Sequence, residues 1–324
     1  MPLLLKSIGT ALLTAMLAAS HTAVAQSWPT RNITAIVPFA PGNANDLAAR
    51  IVLDQVSRQM GATIVIENRG GAGGTIAVAQ TARAAPDGYT IVVHSSSFSS
   101  AYVTHKTLPY DTLKDFTAIV PIGTQPTVLV VAPSKGFKTA QELIAAAKAK
   151  PGAMNFASAG RGAASHLAAE RFRLAAGIQA QHVPFRGPVE ALTEVMAGRI
   201  DFYFLPVSPA LPLIQEGKVV ALAVSSEKRA AQLPNVPTTQ EIGLKDAAYV
   251  FWNGLFGPAK MPPEIVKRLH GETQKALQVP SVVERLAKLG VEPLFQSPEE
   301  FDKYFKADVL DTVKLAEQAG IERQ

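Results

Sequence analysis

Two stretches hold the residues best placed to do chemistry. IVPFAPGNANDLAARI, at 36–51, runs from strand formers through Pro41-Gly42 into Asn43, Asn45 and Asp46. SAGRGAASHLAAE, at 158–170, runs through Ser158, Gly160, Arg161 and Gly162 to Ser165 and His166. Each has the form strand, Gly-containing loop, helix start. A helix N-terminus has unpaired N–H groups and a partial positive charge, and glycine lets a ligand approach the backbone, so such a loop can hold an anion. The same pattern is also the ordinary βα turn. One instance decides nothing. Two, in different halves of a chain, could face each other and grip both ends of a ligand.

Signatures of catalysis are missing. FASAG at 156–160 has Phe156 where a nucleophile elbow needs glycine, and GGAGG at 70–74 does not complete a dinucleotide-binding glycine pattern. There is no phosphate-binding G-x-x-x-x-G-K and no H-E-x-x-H, and His94, His105, His166, His182 and His270 never pair at metal-ligand spacing. With no cysteine there is no thiol nucleophile, disulfide or Cys-ligated metal. The residues commit to no reaction, metal or cofactor. An exported hydrolase acting through Ser158 is the alternative, testable by turnover lost on Ser158→Ala.

The elements that must position these loops alternate. NITAIVPF, ATIVIE, YTIVVHSS and FTAIVPI read as strands, with NDLAARIVLDQVSRQM and GTIAVAQTARAA as helices between them. The middle repeats the theme from TVLVVAPS to VVALAVSS, and the chain ends in three helical stretches from Pro262. Such alternation predicts right-handed βαβ units, hence an α/β fold with mainly parallel sheets. Crossings near Gln125–Thr127 and Tyr249–Asn253 predict two lobes about a hinge and a cleft. One lobe is discontinuous (26–126 and 250–324) and the other inserted (127–249). Residues 1–25 read as a signal peptide: Lys6, a short apolar run, then Ala-Val-Ala at 23–25. Export without an anchor predicts a periplasmic monomer. The net charge of +5 comes from dispersed basic residues, which argues against nucleic acid.

These motifs together resemble the extracytoplasmic binding proteins of the tripartite tricarboxylate transporter class, the Bug family. The resemblance is carried by the two loops with VIENRGGAGGTIAVAQTARAAPDGYT, LPYDTLKDFTAI, HVPFRGPVEALTEVMAGRID, ALPLIQEGKVVALAVSSEKR and LPNVPTTQEIG, in order from about Trp28 to the C-terminus. It implies a two-lobed, type II periplasmic binding fold that delivers a carboxylate to membrane permease subunits, or presents it to a sensor protein. It implies that the loop Phe39-Ala40-Pro41-Gly42-Asn43, through Asp46, holds a carboxylate on its backbone N–H groups, partly through water. Ser158, Ala159, Gly160, Arg161 and Gly162, with Ser165 and His166, form the facing loop. Ser95 and Ser96, in the run His94–Ser97, line the cleft; Thr127 stands just past a crossing, and Arg186 lies in the PFRGP turn.

Three departures from the family pattern bear on the ligand. Asn43 replaces a usual glycine, Arg161 stands where asparagine is common, and Leu205 replaces a frequent aspartate. Without that acid an amino-acid ammonium has no partner. A guanidinium at Arg161 could take a second carboxylate, and Phe39, Phe98, Phe204 and Trp252 could line the pocket. Both readings together predict a flat or elongated dicarboxylate, aromatic ones included. Their bland counterparts are a solvated arginine and packed aromatics.

Overall fold

The computed structural model describes residues 28–323; the expected signal peptide lies outside the described residues. In the first lobe, β1 (Ile33–Val37) pairs in parallel with β2 (Ile64–Asn68) and β3 (Thr90–Ser95). Their connections are α1 (Ala44–Met60) and α2 (Thr75–Ala82), and α3 (Ser97–Thr104) follows β3 directly. Asn43 starts α1 as its N-cap, and Gly61, at φ +60, ends it in the left-handed conformation that glycine tolerates. Ala48, Val52 and Val56 are buried along one side of α1 against Ile33, Ala35 and Val37 of β1.

The second lobe repeats the plan. β5 (Met154–Ser158) is parallel to β6 (Ala180–Pro184) and β7 (Phe202–Pro206). Helices α4 (Ala140–Ala149), α5 (Ala164–Ala176), α6 (Pro188–Met196) and α7 (Val207–Gln215) cover it, and β8 (Val220–Val224) closes the run. Thr139 and Glu142 form a reciprocal capping box on α4.

One long strand joins the lobes. β4 (Phe116–Val131) pairs antiparallel with β9 (Val250–Pro258) as far as Pro126, then with β7 from Thr127 and β8 from Val128. The strand order is β2-β1-β3-β9-β4-β7-β5-β6, with β8 and the two-residue β10 (Glu292–Pro293) also on β4. Ser225 knits the passage: its N–H donates to the Thr127 carbonyl and its hydroxyl to the Tyr249 carbonyl. Helices α8 (Pro263–Ala276) and α9 (Pro280–Lys288) return to the first lobe. The last, α10 (Pro298–Ala319), packs Phe301, Phe305 and Val309 into one lobe and Leu315 into the other. Among the described residues no helix is long and apolar enough to cross a membrane.

Candidate functional site

Both glycine loops open onto the space between the lobes. At the first, the Asn43 side-chain oxygen accepts the N–H groups of Asn45 (2.8 Å) and Asp46 (3.3 Å). The helix start is therefore half capped from within, and the Ala44 N–H is left without an acceptor among the described residues. Gly42, at φ +81, donates its N–H to the Asp46 carboxylate (2.9 Å), which also accepts from Arg50 and Asn68. Burial pushes the Asp46 pKa up, but those bonds more than offset it and hold the carboxyl below its usual range. Asp46 thus braces the loop.

At the second loop, Ala163 occupies the N-cap position of α5 and has no side chain to cap with. The cap comes from the other lobe: the Ala164 N–H donates to Ser97 Oγ at 2.9 Å. The neighbouring Ala159 N–H donates to Ser165 Oγ (3.0 Å). The lobes also touch through glycines. A Cβ on Gly73 would stand 2.9 Å from the Arg161 carbonyl, and one on Gly162, at φ +76, would fall 2.2 Å from Thr104 Oγ1. A Cβ on Gly160 would stand 3.4 Å from Gly73 Cα, an ordinary contact. The GGAGG run that completes no phosphate motif is thus the first lobe's half of an interlobe contact.

Between the loops lies a narrow cleft with about 40 Å³ of room for solvent, well short of the roughly 300–1,000 Å³ of small-molecule sites. Its polar wall is Asn43, Asn45, Ser97, Ser165 and Tyr203; its apolar wall includes Phe39, Ala159, Pro206, Pro209 and Phe251. No charged side chain lines it.

Of the residues expected at a ligand, Phe39, Asn43 and Ala159 line this cavity, while Ala40, Pro41 and Gly42 form an exposed loop beside it. Gly160 and Gly162 make the contact between lobes. Others lie elsewhere. Ser95 Oγ accepts the Ser97 N–H (3.4 Å) behind the wall, and Ser96 is buried away from it. Thr127 bonds Ser225 (2.7 Å between hydroxyls) at the lobe crossing. Arg161 is half-buried beside His166 and His182, whose pKa values its charge lowers, and it takes no part in the cavity wall. Arg186 is exposed; its backbone N–H donates to the Glu190 carboxylate in the first turn of α6. Phe204 packs on Phe172 (5.2 Å between centroids), Leu205 is core, and Phe98 and Trp252 pack beneath α10.

Asn45, Ser97, Tyr203 and Phe251 were among the missed members of the wall. Two carried a signal, because side chains alternate along a strand. Phe202 and Phe204 belong to one face of β7 and Tyr203 to the other, and Phe251 likewise alternates with Trp252.

One arrangement among the described residues resembles nucleophilic chemistry most. Ser158 Oγ lies 2.6 Å from His182 Nε2, and His182 stacks on His166 at 3.8 Å. Burial, with the Arg161 charge, depresses His182 to about 4. Burial, with His182, Arg161 and Arg173, holds His166 well below its usual value. The Ser158 side chain is fully buried and none of the three lines the cavity, so the cluster supports the loop from behind.

Residues 48–321 match the family described as tripartite tricarboxylate transporter family receptor. The chain is similar to Protein BugT of Bordetella pertussis, at 33% identity over 323 residues, 99% of this chain and 97% of that one. Among solved structures it resembles R. palustris Rpa4515 with adipate (30% identity, TM-score 0.88, covering 92% of this chain and 100% of that one). It also resembles MatC from Rhodopseudomonas palustris with bound malate (30%, 0.84, 89% and 99%).

Proposed function

Because the chain belongs to the tripartite tricarboxylate transporter receptor family, and so is a substrate-binding protein rather than an enzyme, we propose that it captures a small dicarboxylate between its lobes. The observation that carries this is the cavity itself: two helix starts border it, and no cation or acid lines it. Carboxylates held there would rest on backbone N–H groups, hydroxyls and water, with the helix dipoles in support. An amino acid would leave its ammonium unpaired. Adipate and malate, bound in the two solved relatives, are dicarboxylates and favour the same class here. Of the four aromatics expected at the pocket only Phe39 lines it, but Tyr203 and Phe251 do as well, so aromatic dicarboxylates stay within the class.

In this reading residues 26–126 with 250–324 form one lobe, 127–249 the other, and closure strengthens every polar contact by excluding water. Ligand favours the closed form by its differential affinity. The exported protein works in the periplasm as a monomer and hands its ligand to membrane permease subunits. The test is a thermal-shift and calorimetric screen of residues 26–324 against mono-, di- and tricarboxylates, aspartate and glutamate. A dicarboxylate at 100 times its Kd should add about 2.7 kcal/mol of stability. Binding of amino acids alone, or of no carboxylate, would overturn the reading.

A further inference from the structure

Tyr203 is fully buried on β7, it lines the cavity, and its hydroxyl makes no well-formed hydrogen bond, only a weak contact with Ser165. Several buried polar groups are unpaired among the described residues, but Tyr203 is the one whose residue also forms the cavity wall. Its polar neighbour there is Ser165, whose hydroxyl oxygen accepts the Ala159 N–H at 3.0 Å and keeps its own proton to give. Burial raises the phenol pKa far above its ordinary value, so the hydroxyl keeps its proton and can donate. Pro206, Pro209 and Phe251 are apolar members of the same wall, which carries no charged side chain among the described residues. A buried hydroxyl without a well-formed hydrogen bond costs stability and calls for a reason. Asn43, Ala44 and Asn45 form the part of the wall built by the start of α1, in the other lobe.

We propose that the Tyr203 hydroxyl, beside Ser165, receives the second carboxylate of a ligand whose first carboxylate lies at the start of α1, and so selects dicarboxylates over monocarboxylates. This rests on the carboxylate reading of the cavity and names the side chain that sets its specificity. The apolar wall between the two polar ends suits an unbranched methylene chain. Tyr203, as a neutral donor, favours an oxyanion without fixing it as strongly as a guanidinium would.

The test pairs each dicarboxylate from succinate to suberate with the monocarboxylate of equal length, butanoate to octanoate, and compares wild type with Tyr203→Phe by calorimetry. A hydrogen bond to a charged group predicts that the variant loses about 10- to 100-fold in affinity for the best dicarboxylate, with its monocarboxylate partner changed less than about twofold. Phenylalanine fills the same space and removes a poorly bonded hydroxyl, so the ligand-free variant should melt at or above the wild-type temperature. Wild type that binds mono- and dicarboxylates equally would overturn the Tyr203 proposal and leave the carboxylate reading standing. So would equal losses for both ligands in the variant, or a variant that binds dicarboxylates normally. A wild type that binds no carboxylate of either series would overturn both.

Discussion

Replacing Ser97 with alanine should loosen the closed form. Ser97 belongs to the first lobe, yet its hydroxyl caps α5 of the second at 2.9 Å, and Ala163 offers no substitute. The residue is 2% exposed, and its own N–H donates to Ser95 Oγ, which also faces Asn45 Nδ2 at 3.5 Å. Removing a serine cap typically costs about 1 kcal/mol, within a range of about 0.5–2. This cap exists only when the lobes meet. The whole cost therefore falls on the closed state, and the closed-to-open ratio drops about fivefold. Apparent affinity falls by the same factor where the ligand-free protein is mostly open, because only closed molecules complete the site. Calorimetry with the best dicarboxylate reads the affinity, and small-angle scattering of ligand-free protein reads the opening. Ser97→Thr, which keeps a hydroxyl, should recover part of the loss. Unchanged affinity together with an unchanged scattering profile would refute the cap between lobes. Tighter binding would refute it differently, by showing that the ligand displaces Ser97 from α5.

Gly162→Ala should weaken dicarboxylate binding by about tenfold or more, from positive-φ strain and a Cβ 2.2 Å from Thr104 Oγ1. A Kd within twofold of wild type would show that the lobes close otherwise. Acid should destabilise the fold through histidines buried neutral. His182 is held at about 4 by burial and Arg161, His94 at about 3 by burial, and His166 is lowered by burial and nearby positive charge. The unfolded chain binds these protons first, so their stabilisation is present above about pH 6.5 and is lost as pH falls toward about 4, then 3. The slope approaches about 1.4 kcal/mol per pH unit for each histidine. Glu170 and Asp308, raised by burial, oppose this nearer the carboxylate range. Urea unfolding at pH 7, 6 and 5 checks it, and a flat profile would be the contrary result. Asp46→Asn should cost about 1–3 kcal/mol in urea unfolding, because its carboxylate accepts from three partners. Wild-type stability would remove its role as a brace.

What was legible in the sequence was local. IVPFAPGNANDLAARI carries its strand, turn and helix start in residue type alone, and Asn43 is a preferred N-cap that had a use for its own side chain before any ligand arrived. SFSSAYVT and VSPALPLIQ hide helices α3 and α7: serine is a weak helix former, and Pro212 lies inside α7. FTAIVPI and TVLVVAPS look like two strands parted by a Gly-Thr-Gln-Pro turn, yet β4 runs straight through, since β9 pairs with it across that stretch. The site itself is made where distant segments meet. Ser97 and Ala164 lie 67 residues apart, so no spacing rule connects them, and neither type marks a binding site alone. Arg161 shows the converse: its chemistry suits a carboxylate, but the turn that brings Gly160 and Gly162 against the first lobe leaves its side chain beside two histidines. Each half of an anion site can thus be read in one segment's pattern. Which side chains face the ligand depends on how two lobes approach, and that is decided by backbone contacts at glycines, where residue identity records only the absence of an obstacle.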